Sequence, residues 1–193
     1  METIKFKNKD YEIIKKLPNK KIHVKFKGKD FIIVPFDSLD AFNTYLLNKK
    51  CLKKNKVEMS KIVKKDKVAL LILEKYIEGE NLVDIIASNR LGEDDLKELF
   101  RIYRNNRFAG ILLSYKPENF VKHKKYFYYL SDTVMKSNQG IAFERGDDIL
   151  LWLNTEEQKR YIISKGKNYL DRMMLTNPGE VKKKIALTCV SYW

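Results

Sequence analysis

The chain has few of the residues that staple small folds together. Only two cysteines, Cys51 and Cys189, occur in 193 residues. They are far apart and fit neither a disulfide framework nor a zinc-ligand spacing. They read as ordinary reduced thiols of a cytoplasmic protein, because disulfides follow oxidising compartments. Histidine is equally scarce: His23 and His123 are the only two, and neither is spaced as half of a catalytic pair. No run of about 18 apolar residues is present, which excludes a helical membrane span. The first residues, Met1-Glu-Thr-Ile-Lys-Phe-Lys7, lack the apolar centre of a secretory signal peptide. With 8 glycines and 4 prolines, the chain shows no low-complexity linker, and no internal repeat is evident.

Negative charge is also in short supply. There are 25 Asp+Glu against 39 Lys+Arg, a net charge of +14. A field of that sign attracts polyanions, so an acidic macromolecule, protein or RNA, is one class of partner. The other reading is a set of solvated lysine-rich faces. The scatter of the lysines favours the second, as does the lack of a zinc finger, an arginine-rich run or an RNA-binding aromatic motif. What the chain does have is a globular apolar content, 44% with 12% aromatic. That is enough for one domain or two small lobes with a real core.

Residues 1–36 alternate. Ile4/Phe6, Tyr11/Ile13 and Ile22/Val24/Phe26 put apolar side chains on one face, with charges between them. This is the pattern of half-buried strands. Leu17-Pro-Asn-Lys-Lys21 and Lys27-Gly-Lys-Asp30 are turn chemistry. Phe31–Phe36 reads as a third, more buried strand, ended or placed at an edge by Pro35. Asp37-Ser38 caps a helix with Leu39, Phe42, Leu46 and Leu47 as its apolar stripe. Residues 57–63 are ambiguous. Val68-Ala-Leu-Leu-Ile-Leu-Glu-Lys-Tyr76 reads as the strongest strand, buried on both faces. Asn81 caps a short helix, and Gly92-Glu-Asp-Asp95 opens another with acids in its first turn. Helices are also expected from about 146 to 153 and from about 154 to 174, and the apolar tail 185–193 is expected to pack back.

The stretch Gly110-Ile-Leu-Leu-Ser-Tyr-Lys-Pro-Glu-Asn119 sets a polar loop after an apolar run, and Tyr126–Leu130 then reads as a strand with Asp132 just past its end. An amide and a carboxylate at the two ends of one hairpin can converge. Hard cations such as Mg²⁺ take such oxygens together with phosphate and water.

Lys116-Pro-Glu-Asn119, followed about a dozen residues later by Asp132, resembles the catalytic loop and metal-binding aspartate of the protein-kinase superfamily, H-R-D-L-K-P-E-N and then D-F-G. Leu73-Glu-Lys-Tyr-Ile-Glu-Gly-Glu-Asn-Leu82 is similar to the hinge of small kinase relatives. The resemblance covers roughly residues 10–175. It implies an α+β, two-lobed kinase-like fold: an N-terminal antiparallel sheet lobe with one helix over residues 1–76, and a shortened, mainly helical C-terminal lobe over residues 77–193. It implies nucleotide contacts at Glu74, Tyr76 and Lys116, and Mg²⁺ at Asn119 and Asp132, with ATP as the nucleotide.

The sequence departs from the family where the chemistry is done. Ser114 stands at the position of the substrate base, and a hydroxyl cannot take up a proton at neutral pH. The turn Leu17–Lys21 has no glycine, leaving only the charges of Lys20 and Lys21 to meet phosphate. Ile32-Ile-Val-Pro35 has no lysine, and the following helix offers no glutamate where the family pairs one with that lysine. Three readings stay open. One is a pseudokinase that binds or scaffolds, with ATP and Mg²⁺ retained. Another is an active atypical kinase using a surrogate base such as Asp37, Asp40 or Glu118. The third is a basic, nucleic-acid-associated protein on a kinase-like frame.

Overall fold

The computed structural model describes residues 2–88, 90–114, 116–131 and 134–136, with positions 160, 163 and 164. Strands β1 (Thr3–Phe6), β2 (Lys9–Lys16), β3 (Ile22–Phe26) and β4 (Lys29–Pro35) lead into helix α1 (Leu39–Lys54). Strands β5 (Ile62–Asp66) and β6 (Leu71–Lys75) follow. All six strands form one antiparallel sheet in the order β1-β2-β3-β4-β6-β5; alternation implied the sheet, but four strands rather than three precede α1, and β5 is added. Two-residue loops close two of the hairpins. Lys7-Asn8 and Lys27-Gly28 both sit at positive φ, the twist that matches right-handed strands.

Alternation along each strand sorts the side chains into two layers. Ile33 and Leu73 face a cluster with Phe6, Tyr11 and Val24, and the sheet curls so that its first and fifth strands share that cluster. Val34 and Ile72 point the other way, onto Phe42 and Tyr45 of α1. The helix is held at its start by Ser38, whose Oγ accepts the Ala41 N–H at 3.1 Å. Its buried face is Phe42, Tyr45, Lys49 and Leu52. This corrects the stripe expected from sequence: Leu39 and Leu47 are 42% and 66% exposed. The reason lies on β6. Glu74 shares a face with Ile72 and needs partners from the helix, so Lys49 and Tyr45 turn inward.

One further expectation is corrected. Val68 is 97% exposed, because Asp66 Oδ1 accepts the backbone N–H groups of Val68 and Ala69 at 3.1 and 3.0 Å and bends the chain before β6 begins. The ambiguous stretch ends in β5, which forms the edge of the sheet.

After β6 come β7 (Glu80–Asn81), α2 (Leu82–Ala87), α3 (Glu93–Phe108), β8 (Ile111–Leu112), a 3₁₀ turn (Pro117–Asn119), β9 (Phe120–His123), β10 (Tyr126–Tyr129) and β11 (Met135–Lys136). Strands β10-β9-β7 make a small sheet, and β11 pairs with β8. A mainly helical part beyond residue 76 is therefore not supported: among the described residues two helices alternate with short strands. Apolar residues here, such as Phe120, Phe127 and Tyr129, fill strands that bury one face against α2 and α3. The helices expected between 146 and 174 and the apolar tail lie outside the described residues, apart from Arg160, Ile163 and Ser164.

The capping reading at Asn81 holds: its Oδ1 accepts the Val83 N–H at 2.9 Å. The largest core joins α2, α3, β9 and β10 to Leu52 and Val57 at the end of α1. The Tyr129 N–H donates to the Glu58 carbonyl at 2.9 Å, and Lys21 Nζ donates to the Leu130 carbonyl at 2.9 Å. These two hydrogen bonds tie the first part of the chain to the β9–β10 hairpin. Among the described residues no helix is long and apolar enough to cross a membrane.

Candidate functional site

The polar loop is built on a short turn. Pro117 fixes φ at the first position of the 3₁₀ turn, where its missing N–H costs nothing. The Asn119 N–H closes the turn on the Lys116 carbonyl at 3.0 Å. The Asn119 carbonyl then accepts the Leu130 N–H at 2.7 Å, so the turn sits at the base of the β9–β10 hairpin. Asn81 Nδ2 donates to the Glu118 carbonyl at 3.2 Å, anchoring the loop to the start of α2. Gly79 brings the connector against the same hairpin: a Cβ there would lie 2.3 Å from the Lys122 carbonyl oxygen. Only a residue without a side chain permits that approach.

Lys116 is exposed and Asn119 half-buried. Within the described residues the Lys116 ammonium and the Asn119 side-chain amide make no hydrogen bond or ion pair. An amide oxygen suits a hard cation, and a lysine suits phosphate. This donor set fits a Mg²⁺-bound nucleotide in kind. Asp132, the other expected metal ligand, lies outside the described residues. Among the described residues no three His, Cys, Asp or Glu side chains cluster as a metal site, so an ion at Asn119 would depend on phosphate oxygens and on Asp132.

Ser114 is held by its backbone. Its N–H donates to the Tyr129 hydroxyl at 3.0 Å, and its carbonyl accepts from the Tyr103 hydroxyl at 3.2 Å. The turn between β2 and β3 is closed on itself: the Leu17 N–H donates to the Lys21 carbonyl at 2.8 Å, and Asn19 and Lys20 take positive φ. Lys20 pairs with Asp37 at 2.7 Å, and Lys21 is spent on Leu130. Both lysines thus have partners within the fold, Lys20 through an exposed ion pair.

The side chains of the hinge-like residues Glu74 and Tyr76 are engaged within the first sheet and its helix. Glu74 is 3% exposed. Its Oε1 accepts from the Tyr45 hydroxyl at 2.6 Å and pairs with Lys49 Nζ at 2.9 Å; its Oε2 accepts from the Ser60 hydroxyl. Lys49 also donates to the Ser60 carbonyl at 3.0 Å and to its Oγ at 2.7 Å. An ion pair thus joins helix to sheet with the lysine on the helix and the acid on the strand. Sequence reasoning missed it. The available signal was Lys49 at four residues from Tyr45, in register with Phe42 and Leu52. Tyr76 stacks flat on His23, with ring centroids 4.2 Å apart and planes 2° from parallel. Its N–H donates to the Asp30 carbonyl at 3.3 Å, and Asp30 Oδ1 lies 2.8 Å from His23 Nε2. No protein-family model and no curated protein matches the chain.

Proposed function

We propose that this protein is a degenerate kinase-like molecule, a pseudokinase that works by binding, and that its polar loop takes a Mg²⁺-bound nucleotide such as ATP. Lys116 would meet phosphate, and Asn119 with Asp132 would hold the ion. The bound Mg²⁺ would neutralise phosphate charge. The chain's own part is to hold Lys116 and Asn119 at fixed spacing on a turn pinned by Pro117, Asn81 and Leu130.

The observation that carries the reading is the contrast between two sets of positions. The loop's lysine and amide are anchored through the backbone, with their side chains uncommitted among the described residues. The positions where a phosphotransferase needs its base and its strand lysine hold Ser114 and Ile32-Ile-Val-Pro35. Phosphoryl transfer depends on positioned charge at all of these points, so binding without turnover fits this residue set best. The single sheet with α1 laid on one face, followed by a connector and a second unit, is compatible with the two-lobed arrangement.

The test is calorimetric titration of the full chain with ATP, with and without Mg²⁺, beside a transfer assay with terminally labelled ATP. Binding that needs Mg²⁺, weakens in Lys116→Ala and Asn119→Ala, and is accompanied by no label transfer supports the proposal. Transfer of label to protein or water would replace it with the atypical-kinase reading. Absence of binding at millimolar nucleotide would make the loop purely structural.

A further inference from the structure

Helix α1 and edge strand β5 face each other across a groove of about 1040 Å³. Its lining is largely apolar, with Leu46, Leu47, Val57, Met59 and Ile62, and it also takes in Lys49 and Ser60 of the Glu74 cluster. Leu47 is 66% exposed, although it lies on a helix whose opposite face is buried. Four exposed lysines stand around this groove: Lys50 and Lys53 from the helix side, Lys61 and Lys65 from the strand side. None of the four pairs with an acid among the described residues. Of the lining residues Glu58 is the one acid, and its field acts on Arg101. The Arg101 guanidinium is held above its ordinary pKa first by its hydrogen bonds to Glu98 and further by Glu58.

Local reasons explain some of these lysines singly. Lys53 suits the negative end of the helix dipole, and lysines on an edge strand discourage strand-to-strand association. Neither reason explains why four cations converge around one largely apolar groove. RNA is a poor match, because no aromatic or arginine lines the groove and bases would have nothing to stack on. A small anion would leave the apolar lining wet. An apolar-and-acidic ligand satisfies both parts, since carboxylates could reach the rim while apolar side chains cover the apolar lining. The helix side runs from Asn43 to Lys53, about 15 Å at helical rise, long enough for roughly three turns of a partner helix.

We propose that this groove docks an acidic amphipathic segment of a partner protein. The proposal does not depend on nucleotide binding at the polar loop.

The test is selection from a displayed random-peptide library on the full chain. Enriched peptides are then titrated by fluorescence anisotropy against wild type, Leu47→Asp and the pair Lys53→Glu/Lys65→Glu. All three positions are exposed, so unchanged melting temperatures serve as the folding control. Polyglutamate and a uridine homopolymer are the comparison probes. Enriched sequences carrying acids between apolar residues at helical spacing are expected, with affinity at least about tenfold weaker in each variant, which corresponds to about 1.4 kcal/mol. Polyglutamate and the homopolymer are expected to bind more weakly and to lose binding steeply with salt. The proposal is overturned if no acidic amphipathic consensus emerges. It is equally overturned if Leu47→Asp leaves peptide affinity unchanged, or if the homopolymer binds as tightly as the peptides.

Discussion

Replacing Lys49 by methionine should be among the most damaging single changes where α1 packs on the first sheet. The pair it forms with Glu74 is enclosed, with side-chain exposures of 10% and 4%. Lys49→Met keeps most of the volume and removes the charge. Glu74 would then stay buried with only the Tyr45 and Ser60 hydroxyls to hold it. Breaking one half of a buried ion pair typically costs about 3–5 kcal/mol. The two remaining hydroxyl donors place the expected loss near the lower end, about 3 kcal/mol. Glu74→Met should cost about as much, because it strands Lys49 and leaves the Tyr45 hydroxyl without its acceptor. The double variant has no lone charge, so its loss should stay close to that of either single change instead of reaching their sum. The shortfall from additivity is about 3 kcal/mol, at the upper end for groups in direct contact. Urea unfolding reads this directly: with a slope of about 2 kcal/mol/M, a 3 kcal/mol loss moves the midpoint by about 1.5 M. Additive losses, or a loss under about 1 kcal/mol for Lys49→Met, would refute the reasoning and mean that solvent screens the pair.

Two other outcomes follow from local geometry. Gly79→Ala forces its new Cβ against the Lys122 carbonyl and should cost about 3 kcal/mol through displacement of the connector or of β9; denaturant unfolding checks it, and a loss below about 1 kcal/mol would show that the connector yields freely. Burial raises the Tyr11 hydroxyl pKa above its ordinary value, so its contribution to stability is complete below about pH 10 and falls away as pH rises through the folded-state value. Tyr11→Phe should flatten the alkaline part of the stability curve relative to wild type, and identical curves for the two proteins would contradict this.

Period-two alternation before residue 36 carries most of the first sheet, because one face of each strand is buried and the other wet. The caps at Ser38 and Asn81 were equally legible, since their chemistry is local. Lys49 was not. A lysine reads as a surface residue until something buried needs it, and that need comes from Glu74, which lies 25 residues away in sequence. Leu47 read as core for the complementary reason: periodicity assigns an apolar residue to the inner face, but here that face was already filled. Val68 belongs to a run of six apolar residues, and only the Asp66 side chain marks that β6 has not yet begun there. Strand β5 was hard to see because Lys64 and Lys65 occupy an edge, where charge is tolerated. At the candidate site, the turn at Pro117 and the hairpin after it were visible in sequence. The commitment of Glu74 to Lys49 was not, because it depends on packing across the sheet.

The most direct test of the binding account is thermal unfolding of the full chain as Mg²⁺–ATP is titrated, with Asn119→Ala and Asp132→Ala run beside wild type. A ligand that binds only the folded state stabilises it by about 2.7 kcal/mol when present at 100 times its dissociation constant. The account predicts a melting temperature that climbs with Mg²⁺–ATP in wild type and stays flat in both variants. A flat wild-type curve, or an equal climb in all three proteins, would contradict it.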